Sequence, residues 1–155
     1  MSGEIFANQY KIVPGKAAPE SQISAGNYPA SGSYVDVSGC ERFHVLIHLG
    51  AVHNSDAPTF EVKQAAAADG TLKAISEADC KWTGAGTSDN NLVMITIETD
   101  KLDINNGYKY VTVVAAGTLT NGTYGDIIFL LPLTSEPVTQ NTTICPAANQ
   151  LAYVG

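Results

Sequence analysis

From Tyr34 to Leu131 the chain is cut into short runs of β-branched and aromatic residues by glycine, asparagine and aspartate, with no long helical pattern among them. Such a chain can bury its apolar side chains only by pairing strands, so an all-β fold is expected. The clearest run, Phe43 to Leu49, alternates with period two: Phe43, Val45, Ile47 and Leu49 form one face, and His44, Leu46 and His48 the other. Thr59 to Gln64 places Phe60, Val62 and Gln64 together, with Glu61 and Lys63 opposite, as a half-solvated strand should. Asp69-Gly70 is a turn. In the following "TLKAISEADCKW", Leu72, Ile75 and Asp79 have helical spacing, but the position just past Asp-Gly favours the return arm of a hairpin.

"GAGTSDNN", Gly84 to Asn91, is a polar loop. Leu92-Val-Met-Ile-Thr-Ile97 after it is almost continuously apolar and β-branched, the composition of a strand covered on both faces. Asn105-Asn-Gly107 turns the chain into Tyr108 to Val114, where Tyr108, Tyr110, Thr112 and Val114 share one face and Lys109, Val111 and Val113 the other. Asn121-Gly122 turns it again, and Asp126 to Leu131 closes the series before Pro132, which has no backbone donor. The expected fold is a β-sandwich or jelly roll of about seven or eight strands over residues 34–133. Residues 1–33 read as an extended N-terminal arm, since "IVPGKAAPESQISAGNYPASGS" from Ile12 has little periodicity, and residues 134–155 read as an irregular C-terminal segment.

Only 15% of the residues are charged, against about 25% in a typical domain. A surface rich in Ser, Thr, Asn, Gly and Ala is easier to bury against protein than one rich in charge, which points to assembly. The net charge is −7, Arg42 is the single arginine and the lysines are scattered, so no direct nucleic-acid binding is expected. No apolar run approaches membrane-spanning length, and no membrane partner is expected. The start, Met1-Ser-Gly-Glu-Ile-Phe6, lacks a basic region followed by an apolar stretch, so secretion by the usual route is not expected. Asn121-Gly-Thr123 and Asn141-Thr-Thr143 read as polar turn and tail residues. Cys40, Cys80 and Cys145 have no metal-binding spacing and read by default as free thiols, with one pairing left open because spacing in sequence does not fix distance in the fold.

All the histidines, His44, His48 and His53, fall within thirteen residues of one another. On one extended strand His44 and His48 point the same way but lie roughly 13 Å apart, too far to share a zinc whose ligand nitrogens sit at about 2.0–2.1 Å. The cupin pattern His-x-His is absent, because Leu46 stands two residues past His44. Cys40 and His44 would form a catalytic dyad only if their side chains met, which strand alternation opposes. Gly84-Ala-Gly86 lacks the lysine and helix of a phosphate loop. Glu98, Asp100 and Asp103 are spaced wrongly for an EF-hand and read as a solvated turn. Tyr28, Tyr34, Tyr108, Tyr110, Tyr124 and Tyr153 could build a sugar-binding face, though strand tyrosines are more often at core edges or interfaces. No catalytic, cofactor-binding or metal residue, and no cofactor, is expected.

The order "VDVSGCERFHVLIHLGAV", "PTFEVKQAAAADGTLKAIS" and "NLVMITIETDKLDINNGYKYVTVVAA", over roughly Val35 to Ala116, resembles small tailed-bacteriophage virion proteins; "FEVKQAAAADGT" and "LDINNGYKYVTV" carry most of the likeness. The resemblance implies a capsid decoration, or cement, protein: a β-sandwich or jelly-roll unit, made in the host cytoplasm, that sits on the capsid exterior as a trimer and ties major capsid protein subunits together. It has no catalytic motif and implies no enzymatic activity. A neck or tail component, or a carbohydrate-binding β module, are the alternatives. The irregular ends would grip neighbours by adding backbone to a sheet edge.

Overall fold

The computed structural model describes residues 9–18, 20–76 and 80–132. Its strands are β1 (Tyr10–Pro14), β2 (Gly26–Tyr28), β3 (Val35–Asp36), β4 (Arg42–Val52), β5 (Ala57–Ala65), β6 (Lys73–Ala74), β7 (Lys81–Thr83), β8 (Leu92–Glu98), β9 (Tyr110–Thr118) and β10 (Thr123–Pro132). Short 3-10 turns occupy Thr99–Lys101 and Ile104–Asn106.

The Asp69-Gly70 turn lies at the tip of one long folded-back ribbon. Its last turn is closed by the Gly70 N–H donating to Ala67 O at 3.0 Å. Behind it β5 pairs with β6 and β7, as the hairpin reading requires, with the return arm divided between these two short strands. Further out, β4 pairs with β8, β2 and β3 pair with β9, and β1 pairs with β10, all antiparallel and each pair enclosing the one before. Lateral pairings of β10 with β4 and of β9 with β5 then zip the ribbon into two sheets. One has the order β1-β10-β4-β8; the other has β9 and β5 at its centre, β2 and β3 along one side and β6 and β7 along the other. With each interrupted pair counted as one lane, this nested winding is an eight-stranded jelly roll.

Alternation places the core between the sheets. Phe43, Val45, Ile47 and Leu49 of β4, with Ile127 and Phe129 of β10, are fully buried against Phe60 and Val62 of β5 and Val111 and Val113 of β9. Each such large side chain contributes about 1.5–3 kcal/mol by leaving water. Gln64 shares the inward face of β5 and is buried without penalty because its amide donates to Ala74 O at 3.1 Å while its carbonyl accepts the Asp103 N–H at 2.8 Å.

Residues 10–33 depart from the irregular segment expected before Tyr34. β1 and β2 are paired strands, and Ile23 is fully buried with its N–H donating to Thr123 O at 2.7 Å. Strands of three to five residues have too few positions to show a period, and their partners lie 85 or more residues downstream, so nothing local marked them. Lys16 fastens the connection: its buried ammonium donates to Ala18 O at 2.6 Å, to Ser21 O, and to Gly125 O at 3.2 Å. The C-terminal segment, 134–155, lies outside the described residues, as do residues 1–8.

A second buried ion ties the far end of the ribbon. Asp56, between β4 and β5, accepts from the Asn121 N–H and side-chain amide at 3.1 and 3.2 Å, from the Gly122 N–H at 3.1 Å and from the Thr123 hydroxyl at 2.9 Å. Burial opposes its ionisation, but together the bonds from Thr123, Asn121 and Gly122 outweigh burial and hold the carboxyl below its ordinary value. Its contribution to stability is therefore present above the unfolded carboxyl's pKa of about 3.9 and fades as pH falls through the lower folded value. Asp56→Asn is expected to melt several degrees below the parent at neutral pH, with the gap closing in acid. A gap of constant size across that range, measured by thermal melts, would contradict this.

Candidate protein interface

The sequence-derived candidates for chemistry are not brought together. His44 is half-buried on the outer side of β4, opposite Thr96 of β8, and its Nδ1 shares a hydrogen bond with Thr96 Oγ1 at 2.8 Å. Burial, with Arg42 adding to it, lowers its pKa, so it is neutral at neutral pH. His48 lies on the same face opposite Leu92, and His53 stands past the strand, its Nδ1 accepting the Ser55 N–H at 3.2 Å. Cys40 is in the core cluster, where burial, with Asp36 adding and Lys11 opposing, raises its pKa and keeps it a thiol. Cys80 is also buried, while Cys145 falls outside the described residues.

Asp103 is held by Lys73 and by the Asn106 amide, which donates at 2.7 Å, rather than sharing an ion with Glu98 and Asp100. Among the described residues no group of three or more metal-ligating side chains converges. The described tyrosines of the sugar-binding candidate are dispersed as well, and Tyr153 lies outside the described residues. Lys73 lies over the Tyr108 ring at 5.1 Å and Lys109 over Tyr110 at 5.6 Å. The Tyr28 hydroxyl donates to Ser24 O at 3.0 Å, and the Tyr34 hydroxyl accepts from the Asn27 amide at 3.0 Å.

What the fold does assemble is an apolar outer face on the β1-β10-β4-β8 sheet. Because Phe43, Val45 and Ile47 point inward, the residues between them point out, and register fixes which neighbours stand beside them. Pro14, Ile128, Leu46 and Met94 form one row across all four strands, flanked by the row Ile12, Leu130, His44 and Thr96. Leu92 and Met94 are each 65% exposed, and Leu46, Ile128 and Leu130 are half-buried. Charge is confined to the ends of the face, where Arg42 stands opposite Glu98 and Asp126 precedes Ile128. Beside β1 the face continues into a groove that Ile12, Pro14 and Ile128 share with Tyr28, Pro29 and Ala30.

An antiparallel sandwich ordinarily turns polar residues outward. Here the continuous apolar run of β8, read as a strand covered on both faces, is covered by the described strands on one face only. The composition of Leu92 to Ile97 was thus the available signal for the exposed apolar face. Its width across β10 and β1 could not be read, because Ile128, Leu130 and Pro14 look like core residues until the register is known. An apolar centre with charge at its margins is the anatomy of a protein contact.

The class defined by these features is an all-β jelly-roll protein with an exposed apolar outer face. Neither a family model nor a curated protein matches the chain. Among solved structures it is similar to the tobacco streak virus coat protein, at 15% identity over 84% of this chain and 92% of that chain, with a TM-score of 0.35. A superposition that loose does not establish a common fold, and the functional reading rests on this chain's own residues.

Since a ligand that binds only the folded state raises its stability, and the histidines do not converge, zinc in about tenfold excess is expected to leave the melting temperature unchanged. A stoichiometric upward shift abolished by His44→Ala would show that the imidazoles do gather.

Proposed function

We propose that the protein is a non-enzymatic virion structural protein that decorates and stabilises a phage capsid, binding major capsid protein subunits on the outside of the head and associating with its own copies in threes. The observation that carries this reading is the apolar row Pro14, Ile128, Leu46 and Met94 on the outer side of a sheet whose inner side already forms the core. The jelly roll alone would not decide it, since capsid, lectin and cupin domains all use that architecture. The cupin histidine pattern is missing from the sequence, and of the tyrosines that a lectin would present Tyr108 and Tyr110 lie under lysines and Tyr28 bonds to backbone, while Tyr124 is 42% exposed. The resemblance of Val35–Ala116 to tailed-phage virion proteins agrees in direction.

Size also favours a repeated contact. Four strands about 4.8 Å apart, with three outward rows about 6.8 Å apart, those of Thr96, Met94 and Leu92, give a face of roughly 400 Å². A lasting one-to-one complex buries about 800 Å² per partner, so a single contact through this face would be weak. Copies held on a lattice gain through effective concentration what one contact lacks.

The test is binding to expanded empty heads of the phage that encodes the chain. Leu46→Lys with Met94→Lys should weaken head binding about tenfold or more, equivalent to ~1.4 kcal/mol or more, with melting temperature nearly unchanged because neither side chain is in the core. Unaltered head binding by this variant would remove the face from the interaction. Binding to isolated necks or tails in place of heads would favour a neck or tail component.

A further inference from the structure

The outer edge of β8 is a second feature of the same sheet, and it is not used by the row just described. Across β4 and β8, the Leu49 N–H donates to Asn91 O and the Thr99 N–H donates to Glu41 O, both at 2.9 Å. With the register Arg42↔Glu98 through His48↔Leu92, these bonds fix the parity of the ladder. Odd-numbered residues of β8 bond to β4, and the backbone N–H and C=O of Leu92, Met94, Thr96 and Glu98 face away from the sheet. Among the described residues no strand pairs with that side. The edge also lacks the usual guards against pairing: Leu92–Glu98 contains no proline or lysine, and its register with β4 runs without a bulge.

From this geometry we infer that β8 pairs antiparallel with β8 of a second copy about a twofold axis through Met94. Only residues of the same parity can bond across such an edge, which restricts the register to a few choices. Centred on Met94, Met94 meets Met94 of the other copy, Leu92 meets Thr96, and Glu98 falls opposite Asn90, so no like charges meet despite a chain charge of −7. A shift towards Glu98 sets that carboxylate against Leu92. A shift the other way loses a bonded pair, because the strand starts at Leu92. Asn90, at φ 58°, turns the chain away at one end and the Thr99–Lys101 turn does so at the other.

The product is a continuous eight-stranded sheet in which the apolar rows of the two copies run on from one another. The outer face doubles to roughly 800 Å², the area a stable contact needs per partner. This step rests on the reading of that face as a contact surface only for its use, not for its geometry. Twofold pairing is also independent of grouping in threes, since it would join copies from adjacent groups.

The test is site-specific disulfide formation in a Cys145→Ser background, where the remaining Cys40 and Cys80 are buried. Directly bonded positions lie about 5.5 Å apart at Cα, within disulfide reach, whereas positions four residues out of register lie roughly 14 Å apart. Met94→Cys should form covalent dimer at least about tenfold faster than Thr96→Cys alone, and a mixture of Thr96→Cys with Leu92→Cys should cross-link as Met94→Cys does. Met94→Pro removes an outward N–H without touching the β4 ladder and should leave a folded protein by circular dichroism whose oligomer, by sedimentation, holds half as many copies as the parent's, since grouping in threes does not use this edge. Equal cross-linking at positions 94 and 96, or an unchanged oligomer in folded Met94→Pro, would overturn the pairing. Head binding is scored separately with Leu46→Lys, which lies on β4 and off the paired edge: unaltered head binding in that variant, with Met94→Cys still cross-linking, removes only the functional reading, while loss of cross-linking specificity with head binding intact in the parent removes only this one.

Discussion

β4 sets the constraint on which the remaining structure depends. It is bonded along both edges, to β10 and to β8, and its alternating apolar residues have one side on which to be buried. A slip of one residue would move His44 and His48 into the core and expose Phe43 and Ile47, which the energetics of burial forbid. Once β4 is fixed, register dictates the orientation of every residue in its neighbours. Ile127, Phe129 and Leu131 must turn inward with Val45 and Ile47, and Ile128, Leu130 and Met94 must turn out. The apolar outer face follows from placing a run such as Ile127 to Leu131, apolar at both parities, beside a strand that has room for only one parity in the core.

This dependence explains which parts of the structure could be read from residues alone. The alternation of Phe43–Leu49, the two faces of Thr59–Gln64 and the Asp69-Gly70 turn are local patterns, and each appears in the fold where it was expected. The return arm after Gly70 is present, but broken into β6 and β7. β1 and β2 escaped notice because their evidence is not local: Pro14, Gly15 and Lys16 look like breakers, and only β10, Gly125 O and the loop carbonyls that receive the Lys16 ammonium make that stretch part of the domain. Asp56 was equally silent, since nothing about one aspartate in "HNSDAPT" tells that the Asn121–Thr123 turn will close over it.

The contact face lies between these cases. Leu92 to Ile97 carried a legible signal, too apolar for a strand with one wet side, but the sequence could not say whether this chain or another covered the second side. The histidines illustrate the converse. Their proximity in sequence suggested a site, and the sheet separates them into successive positions along one face, with His44 satisfied by Thr96. In both instances chemistry follows from strand periodicity and cross-strand register, not from nearness along the chain.

A domain with a packed core, a second apolar surface and an unguarded edge has the physical form of a part that completes itself on other protein. Hydroxyl-radical footprinting of the chain free and bound to heads tests that claim most directly, with Ile104, 55% exposed on a turn outside the sheets, as the internal reference. The account predicts that Leu92 and Met94 become strongly protected on binding while Ile104 is labelled as before. Saturated binding with Leu92 and Met94 still labelled at the free rate would contradict it.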